Sequence, residues 1–420
     1  MDREIKITEE LKLGIRGIIL TISIAFACYI AVNYGLAIDL FSMVVTDMKK
    51  EIGFDYSVVG TIAAFTRGGF LVASLLSVII VPLIGAGRLT ILSVVICTAC
   101  FWGMAFANNV WLIGGLMTLI GACAATVYIP MVGLVGRFIP AKYHGRVMGF
   151  ICGGQSLGVI SASFMVPFFI THQTWRSAWI AVGIIAIVVV VVSFPILHKI
   201  GMFESEPIEN RGLESESPFK GIGTILTRGT ILVMVLYFLS AFACNPFLTY
   251  LSAYLRDELG LSVDMASTIW SCIAIPGIVS GFAMGYVADR LGIRFSLIVA
   301  YMSTSLASLI LALHLHSALF IPAGFLFGLA YYSIFGLIPA YISKTNSPSM
   351  GVQVFAFANI IHGTGGASGN FLGGWFKETV GSFQLVYILI AIASLVLIMV
   401  SIFLPNENKL SMEGEAAHVC

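Results

Sequence analysis

Twelve apolar runs, each about twenty residues long, leave this chain few ways to fold. They fall at 17–39, 57–80, 89–107, 111–136, 147–170, 177–197, 229–252, 265–288, 295–313, 317–343, 351–373 and 384–404. A helix rises about 1.5 Å per residue, so about twenty residues cross a hydrocarbon core about 30 Å thick. In lipid, only helices and closed barrels satisfy their own backbone polar groups. The pattern therefore predicts an all-α membrane protein with twelve transmembrane helices. Composition agrees: 59% of residues are hydrophobic and 10% charged, too little polar surface to cover a soluble globule of 420 residues.

One linker interrupts the series. From His198 to Arg228, Glu204, Glu206, Glu209, Arg211, Glu214, Glu216 and Lys220 break the hydrophobicity, and Pro207 and Pro218 oppose a continuous helix. The expected organisation is an N-terminal six-helix bundle (1–197), a cytoplasmic linker (198–228), a C-terminal six-helix bundle (229–404) and a cytoplasmic tail (405–420). Charge sets the orientation. With the N-terminus in the cytoplasm, sixteen of the 22 Lys and Arg residues lie inside. Lys49, Lys50, Arg176, Arg256 and Lys377 lie outside, and Arg67 lies in the membrane. Both termini are thus expected to be cytoplasmic.

The net charge of +1 offers nothing to nucleic acid. Of the eight cysteines, all but Cys420 sit in apolar segments, where they read as small core residues rather than disulfide partners. The mixed-charge stretch Met1 to Arg16 precedes a first run long enough to span, so no cleavable signal is expected. An internal repeat is also visible. A shift of 206 residues lays Asp39 on Asn245 and Arg88 on Arg294.

Between the eighth and ninth runs lies Gly285-Tyr-Val-Ala-Asp-Arg-Leu-Gly-Ile-Arg294. Gly285 lets two helices approach, Asp289 ends one of them, Gly292 allows a tight reversal, and Arg290 and Arg294 hold the turn on the positive side of the membrane. This G-x-x-x-D-R-x-G-x-R spacing resembles the signature cytoplasmic loop of the major facilitator superfamily, a large class of secondary transporters. The resemblance extends over all twelve runs. It implies two parallel six-helix halves related by a pseudo-twofold axis along the membrane normal, with a solute held between them near the midplane. It also implies that Asp289 meets the start of the fifth helix, Gly145-Arg146-Val147, as a cytoplasmic gate; the plainer alternative is that Asp289 only caps a helix.

The chain departs from the family pattern in places. The first-half copy of the loop has decayed to Val81-Pro-Leu-Ile-Gly-Ala-Gly-Arg88, without its Asp-Arg pair. Met117 stands where many proton-coupled members carry Arg, and the fifth helix, Gly149-Phe-Ile-Cys-Gly153-Gly154-Gln155, lacks the Gly-Pro pair of the drug/proton antiporters. These absences count against multidrug efflux. Tyr34 to Phe41, the Lys49-Lys50-Glu51-Ile-Gly53 loop and Tyr56 to Gly60 loosely resemble the monocarboxylate and oxalate–formate branch. That branch's first-helix acidic-Gly-aromatic signature and eighth-helix Arg are missing, so only the idea of a small organic anion carries over.

Charged residues inside a bilayer are expensive, about 2.5–3.5 kcal/mol at the centre on insertion scales, and few remain here. Arg67 lies about 15 Å into the second helix. The only acid inside an expected span is Asp39, placed at the outer end of the first helix. A guanidinium without a counter-ion at its own depth favours an anionic solute, a carboxylate or similar oxyanion. Alternatively, Arg67 bonds backbone carbonyls and hydroxyls such as that of Thr66, or pairs with Asp39 as an outer gate.

His362 is the second candidate, mid-span in the glycine-rich run Asn359-Ile-Ile-His-Gly-Thr-Gly-Gly-Ala-Ser-Gly-Asn370. It serves either as a proton carrier or as a neutral, locally satisfied core residue. Asp39 is the other proton candidate, or else a solvated helix end. Further polar and aromatic candidates for the cavity are Asn33, Tyr34, Tyr128, Gln155, Asn245, Trp270, Tyr331, Tyr332 and Asn359. Many Tyr and Trp residues at such positions serve packing instead.

The spans hold no cluster of metal ligands and no nucleophile paired with a base, so an enzyme is not expected, nor any cofactor or metal. A channel would show pore-lining rings rather than a two-bundle repeat. The expected function is alternating-access transport of a small organic anion, by proton-coupled symport or with another coupling ion. The expected protein is a monomer in a bacterial-type inner membrane. The alternatives are an exporter or uniporter of neutral or lipophilic molecules, and a non-transporting sensor with the same fold.

Overall fold

The computed structural model describes residues 17–204, 228–346 and 348–405, and no strand occurs among them. The expected linker and tail lie largely outside these residues. The helices are α1 (Gly17–Ile52), α2 (Tyr56–Ile84), α3 (Ala86–Phe106), α4 (Val110–Phe138), α5 (His144–His172), α6 (Trp175–Lys199), α7 (Arg228–Glu258), α8 (Val263–Leu291), α9 (Ile293–Ala312), α10 (Phe320–Thr345), α11 (Pro348–Val380) and α12 (Gln384–Phe403). Eleven of the helices among the described residues are long and apolar enough to cross a membrane, and α11 adds a further 33 helical residues. Large apolar side chains lie open on their outer faces, including Leu83, Trp111 and Phe164. In water such surface would drive aggregation; against lipid it is at home.

The first helix corrects the sequence reading. α1 does not stop at residue 39 but continues to Ile52, so Lys49, Lys50 and Glu51 are helical rather than a loop, and Gly53, at φ +80°, ends the helix. Asp39 therefore stands thirteen residues, about 20 Å, before the helix end, and is buried at 5% exposure. It is not a solvated helix terminus. It closes a π-helical segment, Ala31–Asp39, a form that recurs at functional sites because its widened turn re-aims side chains. The repeat holds here: Asn245 stands thirteen residues before the end of α7 at Glu258, where the last five residues are also π-helical.

Small residues explain how the helices approach. On α1 and α5, Gly35 faces the backbone of Gln155 and Val159, Gly154 faces Ala27, and Gly158 faces Ala31. A Cβ on Gly35 would come within 2.5 Å of the Gln155 carbonyl. On α7 and α11, Gly365 meets the carbonyl of Phe238, and Gly369 that of Phe242. Where lipid is as apolar as leucine, close backbone contact of this kind drives helix association. The α2–α3 and α8–α9 connections are each a single glycine, Gly85 and Gly292, both at φ +89°. The first-half loop thus keeps its hinge although its Asp-Arg pair is gone.

The described residues sort into two compact units: those of 1–40 with 69–207, and those of 41–68 with 208–420. In the first, α3 packs on α4 and α6, and α5 packs on the π segment of α1. In the second, α7 packs on α11 and α12, α8 on α10, and α9 on α10 and α12. Residues 41–68, the end of α1 and the start of α2, join the second unit through specific bonds. A Cβ on Gly60 would lie 2.5 Å from the carbonyl of Asn370 on α11, and the Tyr56 amide donates to Glu378 over 2.8 Å.

Candidate solute site

In the second unit, three of the residues singled out by sequence converge. Arg67, eleven residues into α2, donates from Nη2 to Asn245 Oδ1 on α7 at 2.6 Å. Asn245 is buried, and its Nδ2 donates to the Ala241 carbonyl at 3.0 Å, which fixes the orientation of the amide. Among the described residues Arg67 forms no ion pair with an acid. Thr66 does not serve it either, because its hydroxyl donates to Ile62 at 2.8 Å. The cation is held by a neutral acceptor, and its remaining donors have no acceptor among the described residues.

His362 sits beside this pair, between the rings of Tyr237 at 4.6 Å and Phe335 at 5.5 Å. Ser240, Ala241, Cys244, Asn245, Tyr331, Ile334, Phe335 and His362 enclose a cavity of about 10 Å³, room for about one water. Tyr331 belongs to the wall, and Tyr332 packs edge-on against it at 5.1 Å. Asn359, just short of one turn before His362, donates to the Phe355 carbonyl at 2.8 Å. Trp270 contributes packing: it is 1% exposed, and its one donor is satisfied by Ser252 at 2.9 Å.

The first unit gathers a second polar pair. Gln155 on α5 donates to Asp39 Oδ2 at 3.0 Å. Nearby on α1, Asn33 is fully buried and donates to the Tyr29 carbonyl at 2.9 Å, leaving its Oδ1 without a hydrogen-bond partner. Tyr34 reaches the Ala124 carbonyl on α4 at 3.2 Å, and Tyr128 bonds the thiol of Cys152.

In the signature loop Tyr286, Asp289, Arg290 and Leu291 are exposed, whereas Ala288 and Ile293 are buried. Asp289 faces Lys344 at 3.8 Å, and Arg290 lies over the Tyr286 ring at 4.5 Å. Arg294 donates to the Ile402 carbonyl, while Gly285 has open space around its Cα and Arg146 is exposed in the first turn of α5. A pair as open as Asp289 and Lys344 contributes little to stability.

Sequence reasoning missed a charged cluster at the other end of the second unit. Arg256 grips Asp47 with two bonds of 2.5 and 2.8 Å. Lys50 pairs with Asp257 at 3.1 Å, and the Tyr56 hydroxyl also donates to Asp257. Glu258 takes Lys377 at 3.2 Å together with the amide of Phe383 and the hydroxyl of Ser382. The signal was present in the repeat, because Lys50-Glu51 and Arg256-Asp257 are equivalent basic-acidic pairs 206 residues apart.

Long apolar helices, lipid-compatible outer faces and a cation held among neutral groups far from any helix end define an integral, multi-pass membrane carrier. The chain belongs to the Major Facilitator Superfamily, whose family profile matches residues 22–370. It is therefore a transporter and not an enzyme. Among its relatives are the cis,cis-muconate transport protein of Acinetobacter baylyi, 21% identical over 281 residues covering 66% of this chain and 68% of that protein, and monocarboxylate transporter 12 of Rattus norvegicus, 23% identical over 318 residues covering 68% of this chain and 64% of that one. A solved structure of the nucleoside transporter NupG shares the fold, with a TM-score of 0.73 at 13% identity over 91% of this chain and 99% of that one.

Proposed function

We propose that this protein is a secondary active transporter that moves a small organic carboxylate across the membrane by alternating access, in symport with a proton. The carrying observation is Arg67: a guanidinium about 16 Å along α2, anchored by the neutral amide of Asn245 and offering its remaining donors to an incoming oxyanion. The named substrates of two relatives, muconate and monocarboxylates, support the same class of solute. Asp39, buried and bonded to Gln155, and His362, beside the Arg67 anchor, are the two candidates for the coupled proton. The charged cluster at the ends of α1, α7 and α11 is read as the seal of one mouth of the pathway, since it ties the end of α1 and the start of α2 to α7 and α11. A neutral solute is the second reading, favoured by the apolar walls that Tyr331, Ile334 and Phe335 give the cavity.

Uptake into proteoliposomes tests the proposal. Labelled cis,cis-muconate and a short monocarboxylate are offered with and without an inside-alkaline pH gradient. The gradient is expected to drive accumulation above equilibrium, and Arg67→Ala to abolish it in a folded protein. Replacing the coupling group, by Asp39→Asn or His362→Gln, is expected to remove the response to the gradient while carboxylate exchange persists. Uptake indifferent to the gradient, to carboxylates and to Arg67→Ala would leave the neutral-solute reading standing.

A further inference from the structure

We propose that Asn245 sets the charge of the accepted solute, acting through Arg67 as a positioning residue rather than as a solute ligand; this rests on the anion-carrier reading above. Both polar atoms of its amide are engaged. Oδ1 accepts from Arg67 at 2.6 Å, and Nδ2 donates to Ala241 at 3.0 Å. Reversing the amide would set an NH2 against the guanidinium and an oxygen against a carbonyl, so one orientation alone satisfies both. Packing holds it there. Gly366 on α11 presses on the Nδ2 side, where an added Cβ would collide with the amide, and Pro246 follows immediately on α7. At 3% exposure, with each polar atom already bonded to the protein, Asn245 offers a solute far less than the free donors of Arg67 do.

The decisive property is that the acceptor is neutral. A carboxylate of the same shape would also hold Arg67 in place, and would cancel its charge. At the equivalent position of the internal repeat, 206 residues earlier, the chain does carry an acid, Asp39, which accepts from the amide of Gln155. Each pair thus joins one ionisable group to one amide, a base in one half and an acid in the other. An amide opposite Arg67 leaves a net positive site; an acid there would leave a neutral one.

Three proteins, wild type, Asn245→Asp and Asn245→Ala, separate these roles when tested with cis,cis-muconate and with its uncharged diamide. Asn245→Asp is expected to lower muconate uptake about 100-fold, the loss of charge-assisted bonds to the solute, and to shift the preference between muconate and the diamide toward the diamide. Asn245→Ala keeps the cation and loses its anchor, so muconate KM should rise about 10-fold with kcat little changed. Undiminished muconate uptake by Asn245→Asp, or complete loss by a folded Asn245→Ala protein, overturns the assignment. A second readout does not depend on the solute. Asn245→Asp should raise the unfolding midpoint when Arg67 is present and lower it in the Arg67→Ala background. If wild type carries no carboxylate and Arg67→Ala changes nothing, the anion-carrier reading fails. The charge-setting role falls with it, whereas the positioning of Arg67 by Asn245 is judged by this stability coupling alone, and equal shifts in both backgrounds would end that too.

Discussion

Arg256 and Asp47 test whether charge holds the end of α1 to α7. Their bonds, 2.5 and 2.8 Å, form a bidentate fork, and the side chains are 11% and 19% exposed. A hydrogen bond to a charged group contributes about 1.5–3 kcal/mol, whereas fully exposed ion pairs couple by about 0.2–1 kcal/mol. Two bonds in a mostly buried setting, discounted for the remaining solvent, give a coupling of about 2–3 kcal/mol. That is about 30–150-fold in an equilibrium constant. The assay is a double-mutant cycle of Asp47→Asn, Arg256→Gln and the pair together, followed by reversible denaturation in mixed micelles. Each single change strands a partner and should cost more than the double change does beyond it. The swap Asp47→Arg with Arg256→Asp should recover part of the loss. A coupling under about 0.5 kcal/mol, the range of an exposed pair, would refute the reasoning, and the cluster would then not be a seal.

Two further outcomes follow from the backbone. Gly85→Ala and Gly292→Ala place a side chain at φ +89°, so each is expected to destabilise by about 1–3 kcal/mol in the same assay, and an unchanged midpoint would show that the turn does not need glycine. Gly366→Ala should displace the Asn245 amide and raise carboxylate KM. Gly336→Ala, which has open space around it, should not, and equal effects of the two in transport assays would remove the packing argument.

The helical framework was legible because the lipid requirement is written in run length. Its first boundary was not. The run set to end at Asp39 is followed by the uncharged residues 40–46, and the helix continues to Ile52, where Asp47 and Lys50 find partners on α7, more than 200 residues away. A span that stops at residue 39 sets Asp39 at the membrane surface, and the further thirteen helical residues put it deep. Arg67 and His362 stood out by scarcity, since ionisable groups in lipid are rare, and the structure brings both to Asn245. The role of Asn245 was hidden for a different reason. An amide that binds a solute and one that anchors an arginine look alike in sequence, and only the bond directions tell them apart. The charged cluster escaped because its members are scattered from Asp47 to Ser382, and each taken singly resembles an ordinary charge at a helix end.

The single-glycine joints at Gly85 and Gly292 have a mechanical meaning. A link with no spare residues stores no slack, so when the joined end of one rod is displaced, the facing end of its neighbour must travel with it. Each hairpin is then like a pair of crutches tied at the tip. An epitope or protease site spliced into either joint would loosen that tie, whereas a tag on a longer connection would leave it taut.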